Sequence, residues 1–313
     1  MGSAATPRLE RRLTADGSFS LWSAEFGEGF HCGRGALREA AETFLAPSGL
    51  DRFPAGRTLR VLEVCAGTGT NLAALLDVCR KRDLRLRWWG LEQDPQPLAL
   101  ALADAGFRQQ WQPHTLAVLD QLQGRGSWQD ERGAGVLLWG DARRTIRELG
   151  AREPSPIDLI WHDAFSPRRC PQLWSVQFLG SLATLLAPQG RWISYSSAAA
   201  VRAGLVLAGL ELAAIQAAPG RGGEGRPGLQ AWSGGTVASP RSLAGSAGLR
   251  PLAAMELEHL GSSAGVPYRD PLGTADARMI LANRGREQAE QLGRGTLQSS
   301  SAWRRRWGLD ARP

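Results

Sequence analysis

The chain has 313 residues, of which 43% are hydrophobic and 21% charged, ordinary values for a globular protein with one large α/β domain and extensions. Its net charge of +7 comes almost entirely from arginine, Lys81 being the single lysine, and such a surplus attracts polyanions, nucleic acid above all. Arginine-rich codon usage gives the same balance without such a role. Cys32, Cys65, Cys79 and Cys170 form no CxxC pair and do not cluster with the four histidines, which argues against a metal centre or a disulfide framework. No apolar run approaches the ~20 residues that span a bilayer, so a cytoplasmic protein without membrane association is expected.

In chain order, residues 1–17 read as a flexible polar lead-in and 18–58 as an N-terminal cap with a helical run over 36–45. A domain over 59–240 follows, in which strands at 59–65, 86–92, 136–140, 157–163, 191–196 and 210–216 alternate with helices at 70–80, 96–104, 142–149, 172–186 and 198–208. That alternation predicts a Rossmann-like, doubly wound, mostly parallel sheet. Leu72, Leu75, Leu76 and Cys79, like Val176, Leu179, Leu182 and Leu186, repeat at helical spacing and read as core. The polar, glycine-rich stretch 124–134 reads as a mobile surface insertion, and 219–228 as a flexible loop. Residues 241–313 form a basic extension: 11 arginines stand against 7 acidic residues over 239–313. It ends in Trp303-Arg304-Arg305-Arg306-Trp307, a segment suited to base stacking and phosphate pairing or else a frayed terminus.

The run Val61–Val64 enters Cys65-Ala66-Gly67-Thr68-Gly69 and then opens a helix at Thr70-Asn71, where glycines let backbone approach a ligand and helix N–H groups are unpaired. Leu72 stands where a dinucleotide fingerprint needs a third glycine, so NAD is disfavoured. Glu63, Gly67, Gly69 and Asn71 resemble motif I of S-adenosylmethionine-dependent methyltransferases. Glu92 closes the next strand, where a carboxylate accepts from ribose hydroxyls, and Asp141 closes the third, where it accepts from an adenine amine or caps the helix after it.

The run Ile157–Asp163 ends on a carboxylate at the ligand edge of such a sheet and breaks into Ala164-Phe165-Ser166-Pro167. This segment, with Pro171-Gln172-Leu173-Trp174, is similar to the D-G/P-F-A/S-P and NPELW signature of the MnmC-like family, the methyltransferase half of a bifunctional enzyme that makes 5-methylaminomethyl-2-thiouridine in tRNA. Asp16-Gly17-Ser18, Glu28-Gly29-Phe30-His31 and Gly35-Ala36 resemble that family's N-terminal pattern, so the likeness covers roughly residues 14–240. Cys170 replaces the family's usual Asn, and Ala66 a bulkier residue. No second dinucleotide fingerprint follows residue 240, so the stand-alone form without the FAD-dependent oxidase half is expected.

The resemblance implies methyl transfer from S-adenosylmethionine, with neither FAD nor a metal, to an aminomethyl group on a tRNA wobble uridine. Asp163 is then the catalytic carboxylate, orienting the amine and stabilising the ammonium that forms. Phe165, Ser166, Pro167 and Trp174 shape the substrate pocket, although Phe165 and Trp174 read equally well as core aromatics. Alternation along the strand turns His162 away from Asp163, as a packed histidine. Arg168 and Arg169 are phosphate contacts or a solvated pair. The alternatives are an aminopropyltransferase of the spermidine synthase type, which the basic balance disfavours, and a non-catalytic RNA-binding protein that keeps the fold.

Overall fold

The computed structural model describes residues 9–152, 155–216 and 233–309, so the glycine-rich loop expected at 219–228 lies outside the described residues. Twelve strands are present among them: β1 (Leu9–Leu13), β2 (Phe19–Ser23), β3 (Glu28–Gly29), β4 (Thr58–Val64), β5 (Arg85–Glu92), β6 (Ser127–Asp130), β7 (Gly133–Trp139), β8 (Ile157–His162), β9 (Leu186–Ser194), β10 (Glu211–Ile215), β11 (Thr236–Ser239) and β12 (Leu249–Arg250). The first three make a small sheet, and the others form a nine-stranded mixed sheet of order β12-β10-β11-β9-β8-β4-β5-β7-β6. The fold is the expected α/β class. The sheet is less parallel than the strand–helix alternation predicts, because β6, β10, β11 and β12 pair antiparallel.

The chain divides into two compact units, Met1–Thr145 with Asp163–Phe165, and Ile146–His162 with Ser166–Pro313. In the first, β4, β5 and β7 pair in parallel. Leu59, Val61, Leu62 and Val64 of β4 and Trp88, Trp89 and Leu91 of β5 are buried, the pattern of strands covered on both faces. The helix Thr70–Lys81 buries Leu72, Leu75 and Cys79 and places Arg80 and Lys81 at its negative C-terminal end. At the start of the unit, β1 pairs antiparallel with β2 in register Leu9↔Ser23. The end of the polar lead-in is therefore a strand.

Two further features of this unit depart from the sequence reading. Residues 127–139 form an antiparallel hairpin rather than a mobile insertion, and Trp128 sits opposite Gly135, where any Cβ would collide with its ring. A buried tryptophan over a bare glycine holds the hairpin to the sheet edge. A helix over Pro113–Arg125, which Gly126 ends in the left-handed conformation, also went unpredicted, its glutamines and histidine masking the buried stripe Thr115, Val118, Leu119 and Leu122.

In the second unit every residue of β8 is buried, and β9 runs parallel to it, with β11 next and β10 beyond, both antiparallel. The helix Val176–Leu185 is capped by Ser175, whose hydroxyl accepts from the Phe178 N–H at 3.3 Å. Among the described residues the tail folds as a helix, and its first tryptophan is not free to stack on bases. Trp303, in the helix Ser300–Arg306, is buried, lies 3.9 Å from the His259 ring and donates to the Met255 carbonyl. Trp307 donates to Glu258 at 2.9 Å.

A buried ionic network holds helix Ala254–Leu260 to helix Ala199–Leu207. Arg202 meets Glu256 at 3.0 Å and also donates to Thr236 and Ser233, while Arg250 reaches the other Glu256 oxygen at 2.6 Å. Removing one partner of such a pair leaves a buried charge without compensation. Glu256→Ala is therefore expected to cost about 3–5 kcal/mol, read as a lower denaturation midpoint in urea, with Glu256→Gln falling between. A loss below about 1 kcal/mol would show that the network contributes no net stability.

Candidate active site

The first unit carries the site at the C-terminal ends of β4 and β5. Cys65, Gly67 and Gly69 all have positive φ as the chain leaves β4, and Gly69 caps the helix Thr70–Lys81. A Cβ on Gly69 would come within 3.0 Å of Leu98, so glycine is required there by both φ and space. The turn thus presents bare backbone. Glu92, at the end of β5, accepts from the backbone N–H groups of Gly67 at 2.9 Å, Gln93 at 2.7 Å and Asp94 at 3.0 Å. Burial pushes its carboxyl up despite those bonds. Gly67, Gly69, Leu98, Leu119, Leu137 and Glu92 line one cavity, a largely apolar slot with a carboxylate at its edge. A nucleoside fits that chemistry: a planar apolar ring system beside hydroxyls that need an acceptor.

Asp141, after β7, is held locally. Its carboxylate accepts from the Arg143 N–H at 2.9 Å, which caps the helix Ala142–Arg152, and from the Arg143 guanidinium at 2.6 Å. Partial burial would raise its pKa, but Arg143 prevails and holds it below the ordinary carboxylate value.

Three more carboxyl-bearing residues and one amide form the inner part of the site. Glu63 is wholly buried in β4, and its Oε2 accepts from the Trp88 indole at 3.1 Å. Burial pushes its carboxyl up to about 8, opposed by hydrogen bonds from Trp88 and Asn71. The same Asn71 amide donates to Asp163 Oδ2 at 2.8 Å, and the Asp163 backbone N–H donates to Val64 at the end of β4. Burial and the charge of Glu39 push the Asp163 carboxyl well above its ordinary value.

Glu39 was not foreseen from sequence. It is buried in the helix Ala36–Glu39, just before a π-helical stretch over Ala40–Leu45, and accepts from the Cys32 N–H at 2.8 Å. The available signal was positional: Ala36, Glu39, Ala40 and Thr43 repeat at i, i+3, i+4 and i+7, which puts a carboxylate inside a buried stripe.

The first unit therefore brings together Glu63, Gly67, Gly69, Asn71, Glu92 and Asp163 of the predicted site residues. Phe165 belongs to it too and stacks on Phe26 at 4.3 Å. Ser166, Pro167 and Trp174 belong to the second unit. There Ser166 starts a turn by accepting from the Arg169 and Cys170 N–H groups, and Pro167 and Trp174 are buried. Trp174 stacks on His162 at 4.2 Å. His162 is wholly buried, and burial depresses its pKa to about 3, which fits a packed neutral ring. Arg168 and Arg169 are exposed.

A family model described as S-adenosyl-L-methionine-dependent methyltransferase matches residues 104–233, which include Asp141 and Asp163. The chain is 32% identical over 201 residues to the tRNA 5-methylaminomethyl-2-thiouridine biosynthesis bifunctional protein MnmC of Thiobacillus denitrificans, a match covering 59% of this chain and 31% of that protein. It is 29% identical over 202 residues to an uncharacterized protein of Methanocaldococcus jannaschii, covering 62% of this chain and 52% of that one. The crystal structure of MNMC2 from Aquifex aeolicus superposes with a TM-score of 0.74 at 27% identity, over 92% of this chain and 87% of that one. The chain spans about a third of the length of the bifunctional relatives it matches.

The elevated Glu63 carboxyl has a direct consequence for stability. Folded Glu63 holds its proton up to about pH 8, whereas an ordinary glutamate releases it near 4.5, so this group makes the protein less stable as pH rises through that window. Glu63→Gln keeps the shape and removes the titration. Urea unfolding across the window should show the variant gaining on the unsubstituted protein as pH rises, with no further gain above it. Parallel stability curves would refute a protonated Glu63.

Proposed function

We propose that this chain, an S-adenosylmethionine-dependent methyltransferase related to MnmC, methylates the primary amine of an aminomethyl group on a wobble uridine of tRNA. The observation that carries the reading is the 2.8 Å hydrogen bond from Asn71 to Asp163, which joins the first turn of the glycine-turn helix to the carboxylate expected to receive the amine. One amide thereby sets the distance between a nucleoside slot and an acceptor carboxyl group. The names of the bifunctional relatives support tRNA as substrate. Arg168 and Arg169, exposed beside the Asp163 loop, are the proposed phosphate contacts, in keeping with the net charge of +7.

In this reading the backbone of Gly67–Gly69 and the helix N-terminus face the cofactor, Glu92 accepts from a ribose hydroxyl at the Oε2 position left open by Gly67, and Asp141 accepts from its adenine amine in place of part of its contact with the Arg143 guanidinium. When bound, S-adenosylmethionine supplies an electrophilic methyl group on a sulfonium. The protein's own residues manage the proton. An alkylamine reaches the site mainly as an ammonium, whose nitrogen has no lone pair to offer. Asp163, whose carboxyl is pushed up by burial and by Glu39, takes that proton more readily than an ordinary aspartate does. The neutral amine then presents its lone pair. Asn71 holds the Asp163 carboxyl in one orientation toward the amine.

Three proteins test this assignment: unsubstituted, Glu92→Ala and Asp163→Asn. Calorimetry should show S-adenosylmethionine binding that Glu92→Ala weakens about tenfold or more and Asp163→Asn leaves within a factor of about three. Methyl transfer to tRNA bearing 5-aminomethyl-2-thiouridine should fall about 10²–10³-fold in kcat for Asp163→Asn. Full activity in that variant removes Asp163 from the mechanism, and no cofactor binding by the unsubstituted protein removes the function.

A further inference from the structure

The small N-terminal sheet delivers two aromatic rings to the site, and the carboxylate chemistry uses neither. Phe26 sits in the turn after β2, where Gly27, in the left-handed conformation, donates to the Ser23 carbonyl at 2.8 Å and the Ser23 hydroxyl accepts from the Phe26 N–H at 3.4 Å. Phe30 follows β3, its N–H bonded to the Leu21 carbonyl at 2.8 Å. Both backbones are thus fixed by the hairpin. Phe26 lies parallel to Phe165, with ring centroids 4.3 Å apart and an interplanar angle of 18°, and Phe30 meets Phe165 edge-on at 5.2 Å. Phe30 also packs over the cofactor turn, 3.3 Å from where a Cβ on Gly67 would be.

The three rings run from Gly67 to Phe165, two residues past Asp163. All three remain partly exposed, whereas Phe19, Phe44 and Phe107 of the same unit are buried in its core with 2% exposure or less and the half-buried Phe53 is covered by the Arg52 and Arg57 guanidinium groups. Partly exposed rings that reach from the Gly67 turn to the loop carrying Asp163 suit a flat ring that carries the reacting group. We propose that Phe26 and Phe30, with Phe165, form the platform on which the acceptor nucleobase stacks, so that its aminomethyl arm reaches Asp163. This rests on the tRNA reading above. It also gives the N-terminal sheet a task in recognition: a base must leave its own stack to enter the site, and the platform replaces the stacking it loses.

A purely structural role predicts otherwise, since leucine preserves most of the apolar contact but has no π face. Phe26→Leu and Phe30→Leu should each keep S-adenosylmethionine binding and the melting temperature close to those of the unsubstituted protein. Their kcat/KM for tRNA bearing the aminomethyl-uridine should fall from about fivefold to about a hundredfold. Phe26→Trp should restore activity to within about threefold, because it enlarges the stacking face. Unchanged kcat/KM in both leucine variants overturns the platform while leaving the function standing. Failure of the unsubstituted protein to methylate that tRNA overturns the function itself.

Discussion

One amide group serves two buried carboxyls. Asn71 hydrogen-bonds to Glu63 near the end of β4 and to Asp163 at the start of the loop that follows β8. Two carboxylates this deep cannot both be ionised cheaply, since each would lose hydration and repel the other. An uncharged donor with two N–H bonds removes part of that cost without adding a cation, which would drag both groups to low pKa and leave no base. An arginine at position 71 would overpack a buried position and end the chemistry proposed for it. The pairing of Asn71 with a neutral Glu63 and a proton-hungry Asp163 is thus a compromise between a stable interior and a reactive one.

The second unit solves the same physical problem the opposite way. Glu256 is also buried, but two arginines surround it, and its pKa is held below the ordinary value although burial alone would raise it. Arg202 in turn finds hydroxyl partners in Ser233 and Thr236, which satisfy the remaining guanidinium N–H groups. Nothing in that cluster is poised to exchange a proton at neutral pH. The contrast between an amide bridge and a double cation clamp separates carboxylates that can react from a carboxylate that only holds helices together.

What could be read from the sequence follows from how local each signal is. The β4–turn–helix unit was legible because strand, glycine turn and helix start are contiguous, and their constraints act within a dozen residues of Glu63. Glu92, Asp141 and Asp163 were legible as strand ends. Their partners were harder to see. Asp141 reads as an acceptor or a helix cap, and the structure shows the cap together with the Arg143 guanidinium folded back on it. Glu39, Phe26 and Phe30 lie far from Asp163 and Phe165 in sequence, and although Glu39 falls in a helical stripe, nothing local ties these residues to that loop. Trp303 was misread because an arginine run flanked by tryptophans is judged by its charge, whereas the helix turns one face inward and His259 covers the ring. The hairpin at 127–139 was missed because glycine opposite tryptophan, a stabilising pair in three dimensions, looks in one dimension like a flexible loop.

The charge balance was the weakest guide, and the geometry explains why. A surplus of arginine describes the outside of the protein, where it acts over a Debye length and without direction. The site gathers carboxyl groups, Glu39 and Glu63 buried and Glu92 and Asp163 half-buried. In the proposed function the basic exterior collects the polyanion and the carboxyl groups of the site receive the one group on it that carries positive charge. An amine on a nucleic acid meets both conditions, and neutral nucleobase atoms meet only the first. In that reading the two signs are complementary parts of one selection, the exterior acting on the polyanion and the site on the amine.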